Sequence, residues 1–308
     1  MTILVYLSIF LGIALFVIGS VLRILQYARL PQHLRWELYP VPHEAPERAR
    51  HGGSYFETQR HWLQPQSVHH VPEWLAMCDE MILLKSLRLH HPRLWRASFA
   101  FHFGLYLIFA ALPVALLRLV LHGPAALLLL AYASAILAGA GALGIVLGAI
   151  FLLKRRLSDP AQINSTKPAD IFNLVFFLVT FAVLGTACLL RPQGTAGPGA
   201  LLRGLLHFDP AISVGPLLAA GLILGSALLA YIPFTHMAHF IGKYFAWHAV
   251  RWDDRRNQPF SAGERRVAEY LSWTPHWSAR HMDADGIRTW SEIATANPTV
   301  TSPQEKRK

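Results

Sequence analysis

The sequence predicts an all-α integral membrane protein with five transmembrane helices, an external N-terminus, and a large cytoplasmic loop and tail. Three observations carry that prediction. Of 308 residues, 53% are hydrophobic and 15% charged, with a mean hydropathy of +0.34, too apolar for a soluble domain of this length. Five apolar stretches, near 3–27, 98–121, 124–153, 170–190 and 212–240, reach or approach the ~20 residues that cross a ~30 Å hydrocarbon core. The third observation is the placement of charge. Of the 28 Lys and Arg, nine lie in 29–96, four in 154–168 and eleven in 243–308, whereas the opposite long loop holds only Arg191 and Arg203. The positive-inside rule then puts the N-terminus outside and the basic segments in the cytoplasm. The same bias accounts for the net charge of +10 without a nucleic-acid partner. The organisation that follows is a first span at 1–28, a cytoplasmic loop at 29–96, spans two to five at 97–240 and a cytoplasmic tail at 241–308.

Each element has a local reason. The first apolar stretch lacks a basic leading region and a small-residue cleavage site, and so reads as an anchor. The loop opens on Trp36-Glu37-Leu38-Tyr39-Pro40-Val41-Pro42-His43-Glu44, whose prolines favour extended chain. From Pro72 to Leu89, apolar Leu75, Cys78, Ile82 and Leu89 recur at helical spacing. An amphipathic helix is expected there, lying on the membrane, under a partner, or over this chain's own loop. A short turn at His122-Gly123-Pro124 joins helices two and three. Helix three carries Gly141, Gly144 and Gly148, a small-residue face for close helix approach, with room for a flat macrocycle as the competing reading. It ends at Lys154-Arg155-Arg156. Helix four starts near Pro168, with Asp170 placed to favour the helix dipole. A Gly- and Pro-rich outer loop, Arg191–Pro210, leads to helix five, which has a second small pair at Gly221 and Gly225 and a kink expected at Pro233. The tail holds Trp247, Trp252, Trp273, Trp277 and Trp290, a composition suited to docking. Cys78 and Cys188 form neither a disulfide framework nor a metal-ligand spacing.

Among the 16 histidines, His33, His43, His51, His61, His69 and His70 fall in the loop, where surface exposure is the default. His90, His91 and His248 lie at the cytoplasmic interface; His122 and His207 lie at the outer edge, where they end helices or shape a quinone site. His102 and His239 are different because they are inside apolar segments, where an ionisable group is usually functional. His102 lies ~9 Å beyond Arg96 and His239 ~6 Å before Lys243, at 1.5 Å per residue. The two helices run in opposite directions, so both imidazoles fall in the cytoplasmic leaflet. Two imidazoles at matched depth suit a single metal ion between them, and the iron of a b-type haem is the natural candidate. His236 lies one turn deeper, and spacing alone does not choose between it and His239.

These residues resemble a known family. Phe16-Val17-Ile18-Gly19-Ser20-Val21-Leu22-Arg23, Leu152-Leu153-Lys154-Arg155-Arg156-Leu157 with Ala169-Asp170-Ile171, Phe101-His102-Phe103-Gly104, and Pro233-Phe234 through His239 are similar to stretches of the gamma subunit of respiratory nitrate reductase, a membrane cytochrome b. The resemblance covers roughly 1–30 and 95–245. It implies that His102 and His239 are the axial ligands of the haem nearer the cytoplasmic partner, which selects His239 over His236. The family position matching His236 is basic, which implies a haem propionate contact there. Arg96, Lys154, Arg155 and Lys243 at the cytoplasmic edge are placed to pair with propionates or with acidic lipid.

The departures narrow the expectation. Leu112 and Gly221 stand where the family's second, outer haem takes its ligands, and neither binds iron. A second haem, or a quinone site, would draw on His91, His122, His207 or His248. The basic residue that family members place near the outer quinone has no match at Gly123-Pro124. The Trp36–Glu44 stretch and Trp252-Asp253-Asp254-Arg255 resemble the branch that pairs with a heterodisulfide reductase-like iron–sulfur protein, which includes the membrane subunits of sulfite-reduction-associated complexes. The expected function is therefore a haem b subunit of a respiratory complex in a bacterial or archaeal cytoplasmic membrane. It would move electrons between the quinone pool and a cytoplasmic iron–sulfur subunit. A haem-free anchor that only docks an iron–sulfur enzyme is the alternative. A transporter with a histidine relay is disfavoured, because the helix interiors lack Asp, Glu and Lys.

Overall fold

Helix follows helix along the chain in a computed structural model that describes residues 1–29, 41–51, 54, 57–65, 68–121, 123–252, 259–279 and 284–296. The helices are α1 (Thr2–Arg29), α2 (Pro46–His51), α3 (His70–Ile82), α4 (Lys85–His90), α5 (Pro92–Val120), α6 (Pro124–Ser158), α7 (Pro160–Ile163), α8 (Pro168–Leu189), α9 (Pro198–His207), α10 (Pro216–Tyr231), α11 (His239–Ala246), α12 (Ala262–Leu271) and α13 (Trp290–Thr295). The only strands among the described residues are Ser278–Ala279 and Ala284–Asp285, paired antiparallel. Five helices are long and apolar enough to cross a membrane: α1, α5, α6, α8, and α10 with its continuation to Phe234.

The spans differ from expectation mainly at their ends. The second begins at Pro92, because proline at the first helical position loses no hydrogen bond. The third runs on through Lys154-Arg155-Arg156 to Ser158. The fourth starts at Pro168 as expected, where the Asp170 carboxylate accepts the Lys167 backbone N–H at 3.0 Å. The fifth does not merely kink at Pro233. Its α-helix stops at Tyr231, and two 3-10 turns, Ile232–Phe234 and His236–Ala238, precede α11. The single helix expected over 72–89 is two, α3 and α4, divided at Leu84, whose φ of 52° lies in the left-handed region.

The chain forms two compact units. The first comprises Met1–Arg23 and His70–Phe240. Its core joins Phe101 of α5, Ile145 and Ala149 of α6, Phe177 of α8 and Leu228 of α10. Helices α5 and α6 meet backbone to backbone. A Cβ added at Gly148 would stand 2.6 Å from the Phe101 nitrogen, and one at Gly104 would stand 2.6 Å from the Gly141 carbonyl oxygen. The glycine face of α6 is thus filled by α5, which corrects the macrocycle reading. Helix α1 runs parallel to α10: a Cβ at Gly12 would lie 2.7 Å from the Ser226 carbonyl and one at Gly19 2.7 Å from Pro233. Gly221 packs as closely on Leu184, whereas Gly225 has ordinary contacts only.

The second unit comprises Ile24–His69 and Ile241–Lys308. It buries Val41, His43, Glu44, Ser54 and Trp252. His43 is 5% exposed, which corrects the surface position expected for it; the neighbouring Glu44 accepts the Ser54 hydroxyl at 2.7 Å. Tyr27 stacks on Phe245 at 5.7 Å. In the tail, Ser261 caps α12 by accepting the Glu264 N–H, and Thr289 caps α13 by accepting that of Glu292. Trp36–Pro40 and Asp253–Arg255 lie outside the described residues.

Candidate functional site

His102 lies on the third turn of the unbroken helix α5. Its Nδ1 is 2.7 Å from the Ser98 carbonyl oxygen, which can only accept, so Nδ1 is the donor, and in a neutral ring Nε2 would carry the lone pair. His239 opens α11, with its Nδ1 3.3 Å from the His236 carbonyl oxygen. The two rings face each other with centroids 6.0 Å apart and planes at 72°. That separation serves an edge-to-face ring contact. It also matches two metal–imidazole bonds of about 2 Å each plus the half-widths of the rings. Fixing a ligand ring by donating its other N–H to a backbone carbonyl is the usual device at metal sites. Phe101, beside His102, makes an edge contact with Phe177 at 5.0 Å and belongs to the apolar core.

His236 has other partners. Its Nε2 lies 3.2 Å from the Asn173 Nδ2 and 3.5 Å from Asp170 Oδ1. Asp170 Oδ2 also accepts from Arg156 at 3.2 Å and from the Lys167 N–H. The structure therefore sets His239, and not His236, opposite His102, and draws His236 into a cluster around Asp170. Asn173 is 5% exposed, and among the described residues its Oδ1 has no hydrogen-bond partner.

The remaining named residues are spread out. Arg96 and Lys154 are exposed; Arg155 pairs with Asp159 at 3.3 Å. Lys243 lies one turn beyond His239 on α11. His91 precedes α5 and His207 ends α9, whose first turn sits under Arg118 at the far end of α5. Helix α5 is ~43 Å long at 1.5 Å per residue, so neither histidine is within reach of the other. His248 stacks on Tyr244 at 4.2 Å, with its Nδ1 2.9 Å from the Tyr244 carbonyl. His122 lies outside the described residues. Leu112 is exposed, and the packing of Gly221 on Leu184 leaves no space for an imidazole. Among the described residues, no group of three or more His, Cys, Asp or Glu is placed to hold a metal ion.

Sequence reasoning missed three partners. Arg23 Nε donates to the Pro233 carbonyl at 3.0 Å, at the break in the fifth span. Asn173 was a readable signal, a lone amide in an apolar run one turn after Asp170. The Ser98 contact was not readable, because it uses a backbone carbonyl that any residue would supply. No protein-family model and no curated protein matches the chain.

Proposed function

We propose that this chain is the haem b-binding membrane subunit of a respiratory complex, transferring electrons between a membrane quinone and a cytoplasmic iron–sulfur partner. In this reading the N-terminus is outside and the tail lies in the cytoplasm of a bacterial or archaeal cell. The observation that carries it is the His102–His239 couple, two imidazoles 6.0 Å apart, each with Nδ1 against a backbone carbonyl. The two imidazoles suit the iron of a b-type haem, which they would hold and which would supply reversible one-electron transfer. The chain's own residues do the rest. Ser98 and His236 carbonyls orient the rings, Phe101 and Phe177 keep the neighbourhood apolar, and exposed Arg96 and Lys154 offer positive charge at the basic end. His236 is held by Asp170 and Asn173, a role in positioning, not ligation.

A haem-free docking anchor is the second reading, favoured by the exposed Phe260, Trp273, Trp277 and Ile287 of the tail. A reduced-minus-oxidised spectrum of the purified chain, with haem b counted per polypeptide, separates the two. One haem, lost in both His102→Ala and His239→Ala but retained in His236→Ala, is expected. Normal haem in either of the first two variants sinks the couple. Two haems would direct mutagenesis to His91, His122, His207 and His248. A folded, colourless protein leaves the anchor.

A further inference from the structure

We infer that α3 is an interfacial helix that enters the same leaflet as the basic end of α5, with lipid acyl chains against one of its faces. This goes beyond the electron-transfer reading and stands whether or not haem binds.

Amphipathic helices on soluble proteins bury their apolar stripe. Helix α3 does the reverse. At 3.6 residues per turn, Val71, Trp74, Leu75, Cys78 and Ile82 share one face. All five are exposed, the four larger ones by 45% to 71%. The opposite face, with Glu73, Met77 and Glu80, is the packed one. Met77 is 3% exposed and Glu80 6%. The inward polar groups are satisfied there. Glu80 accepts the Ser86 N–H at 2.9 Å and the Ser86 hydroxyl at 2.8 Å, Asp79 pairs with Lys85 at 2.9 Å, and Glu73 with His70 at 3.1 Å. Within its own unit, then, α3 packs through its polar side and leaves the apolar stripe open.

The position of α3 identifies what meets the stripe. Two side chains of α5 hold its C-terminal end: the Trp95 indole N–H donates to the Leu83 carbonyl at 2.8 Å, and the Tyr106 hydroxyl to the Met81 carbonyl at 2.7 Å. Trp95 and Tyr106 are ~16 Å apart along the helix axis. The end of α3 therefore lies along the first four turns of α5, between the levels of Trp95 and Tyr106 and past that of Arg93. The stripe also continues onto the span itself. Trp95, Phe99 and Phe103 stack along α5 at 5.0 and 5.3 Å, and Phe103 is exposed on a helix long and apolar enough to cross a membrane. The medium that bathes Phe103 bathes Ile82 and Leu83, and for a membrane span that medium is lipid.

Nitroxide accessibility tests this on the full chain, reconstituted in phosphatidylcholine/phosphatidylglycerol vesicles with no partner present. The label sits on Cys78 in a Cys188→Ser background. A second label sits on Leu75→Cys with both native cysteines changed to Ser, and a reference label on Ser272→Cys in the tail. Expected is a reversal: oxygen collisions exceed those of a water-soluble nickel chelate at 75 and 78, and the nickel chelate leads at 272. Nickel leading at 75 and 78 would place the stripe in water. Low access to both reagents would mean that the chain itself covers it. Either result overturns the inference.

Discussion

Two prolines stand inside the apolar spans, and only one of them breaks its helix. Pro113 sits within α5, which runs uninterrupted from Pro92 to Val120. Pro233 sits in the first of two 3-10 turns that separate the end of α10 from α11. A proline removes one backbone hydrogen bond and crowds the carbonyl one turn back wherever it occurs. What differs is the neighbourhood. At the break, Arg23 donates to the Pro233 carbonyl, the Thr235 hydroxyl donates to the Ile232 carbonyl at 3.1 Å, and that hydroxyl accepts the Met237 N–H at 3.2 Å. Side chains that satisfy the freed backbone turn a kink into a break, even in an apolar setting. Each style then presents one histidine: His102 from a rod, with a 2.7 Å contact to its carbonyl, and His239 from a fresh helix start, with a 3.3 Å contact.

The largest effect should come from disturbing what keeps α5 straight. Gly148→Leu drives a side chain into the Phe101 backbone, and the strain should exceed the 1–3 kcal/mol usual for overpacking. Thermal unfolding in detergent should fall steeply, whereas Gly139→Leu, with nothing within 4 Å, should leave it nearly unchanged. Next is the break itself. Replacing two 3-10 turns by α-helix would shift His239 by ~3 Å along the axis and by more than ~100° around it. Pro233→Ala should therefore cut haem retention by about tenfold or more, the scale seen when groups that orient a ligand are disturbed. Pro113→Ala should leave haem content normal; equal losses from both would erase the contrast. Smaller again is Arg23→Met, which leaves the Pro233 carbonyl short of a donor and should cost about 1–3 kcal/mol in detergent unfolding.

The smallest effect lies outside both spans. The Asp285 carboxyl is held well below its usual range by the Arg288 and Ile287 backbone N–H groups and by the Arg288 guanidinium. Glu292 is held low by the Thr289 N–H and hydroxyl. Folded values below unfolded ones mean that their stabilisation is complete above the ordinary carboxylate range. It fades as pH falls from about 4 through the depressed values. An NMR titration of these carboxyls should show the tail loosening only in that window, with the spans unaffected.

How much of this could be read from the chain follows from what each feature depends on. The five spans were legible because lipid demands long apolar runs, and the positions of His102 and His239 because ionisable groups stand out within such runs, although the structure leaves His102 half-buried and His239 exposed. The prolines were visible, yet their different outcomes were not, since those rest on Arg23, some 210 residues away in sequence. His43 looked like a surface residue for the same reason: its burial comes from the fold and not from its neighbours in the loop. Spacing alone left His236 and His239 tied and only the resemblance favoured His239; the contacts of His236 with Asp170 and Asn173 are visible only in three dimensions. The stripe on α3 was legible as a stripe, but only the burial of Glu80 shows that it points outward.

The seam between α5 and α6 has a consequence for biogenesis. Three residues separate Val120 from Pro124, and the facing glycines admit no side chain between the two backbones. Such a pair can close as soon as both helices exist, before α8 has been synthesised. A hairpin closed in this way would enter the bilayer as one body and offer a template to the later spans. A lesion in the seam would register as failed insertion and degradation of the newborn chain, well before any cofactor or partner is met.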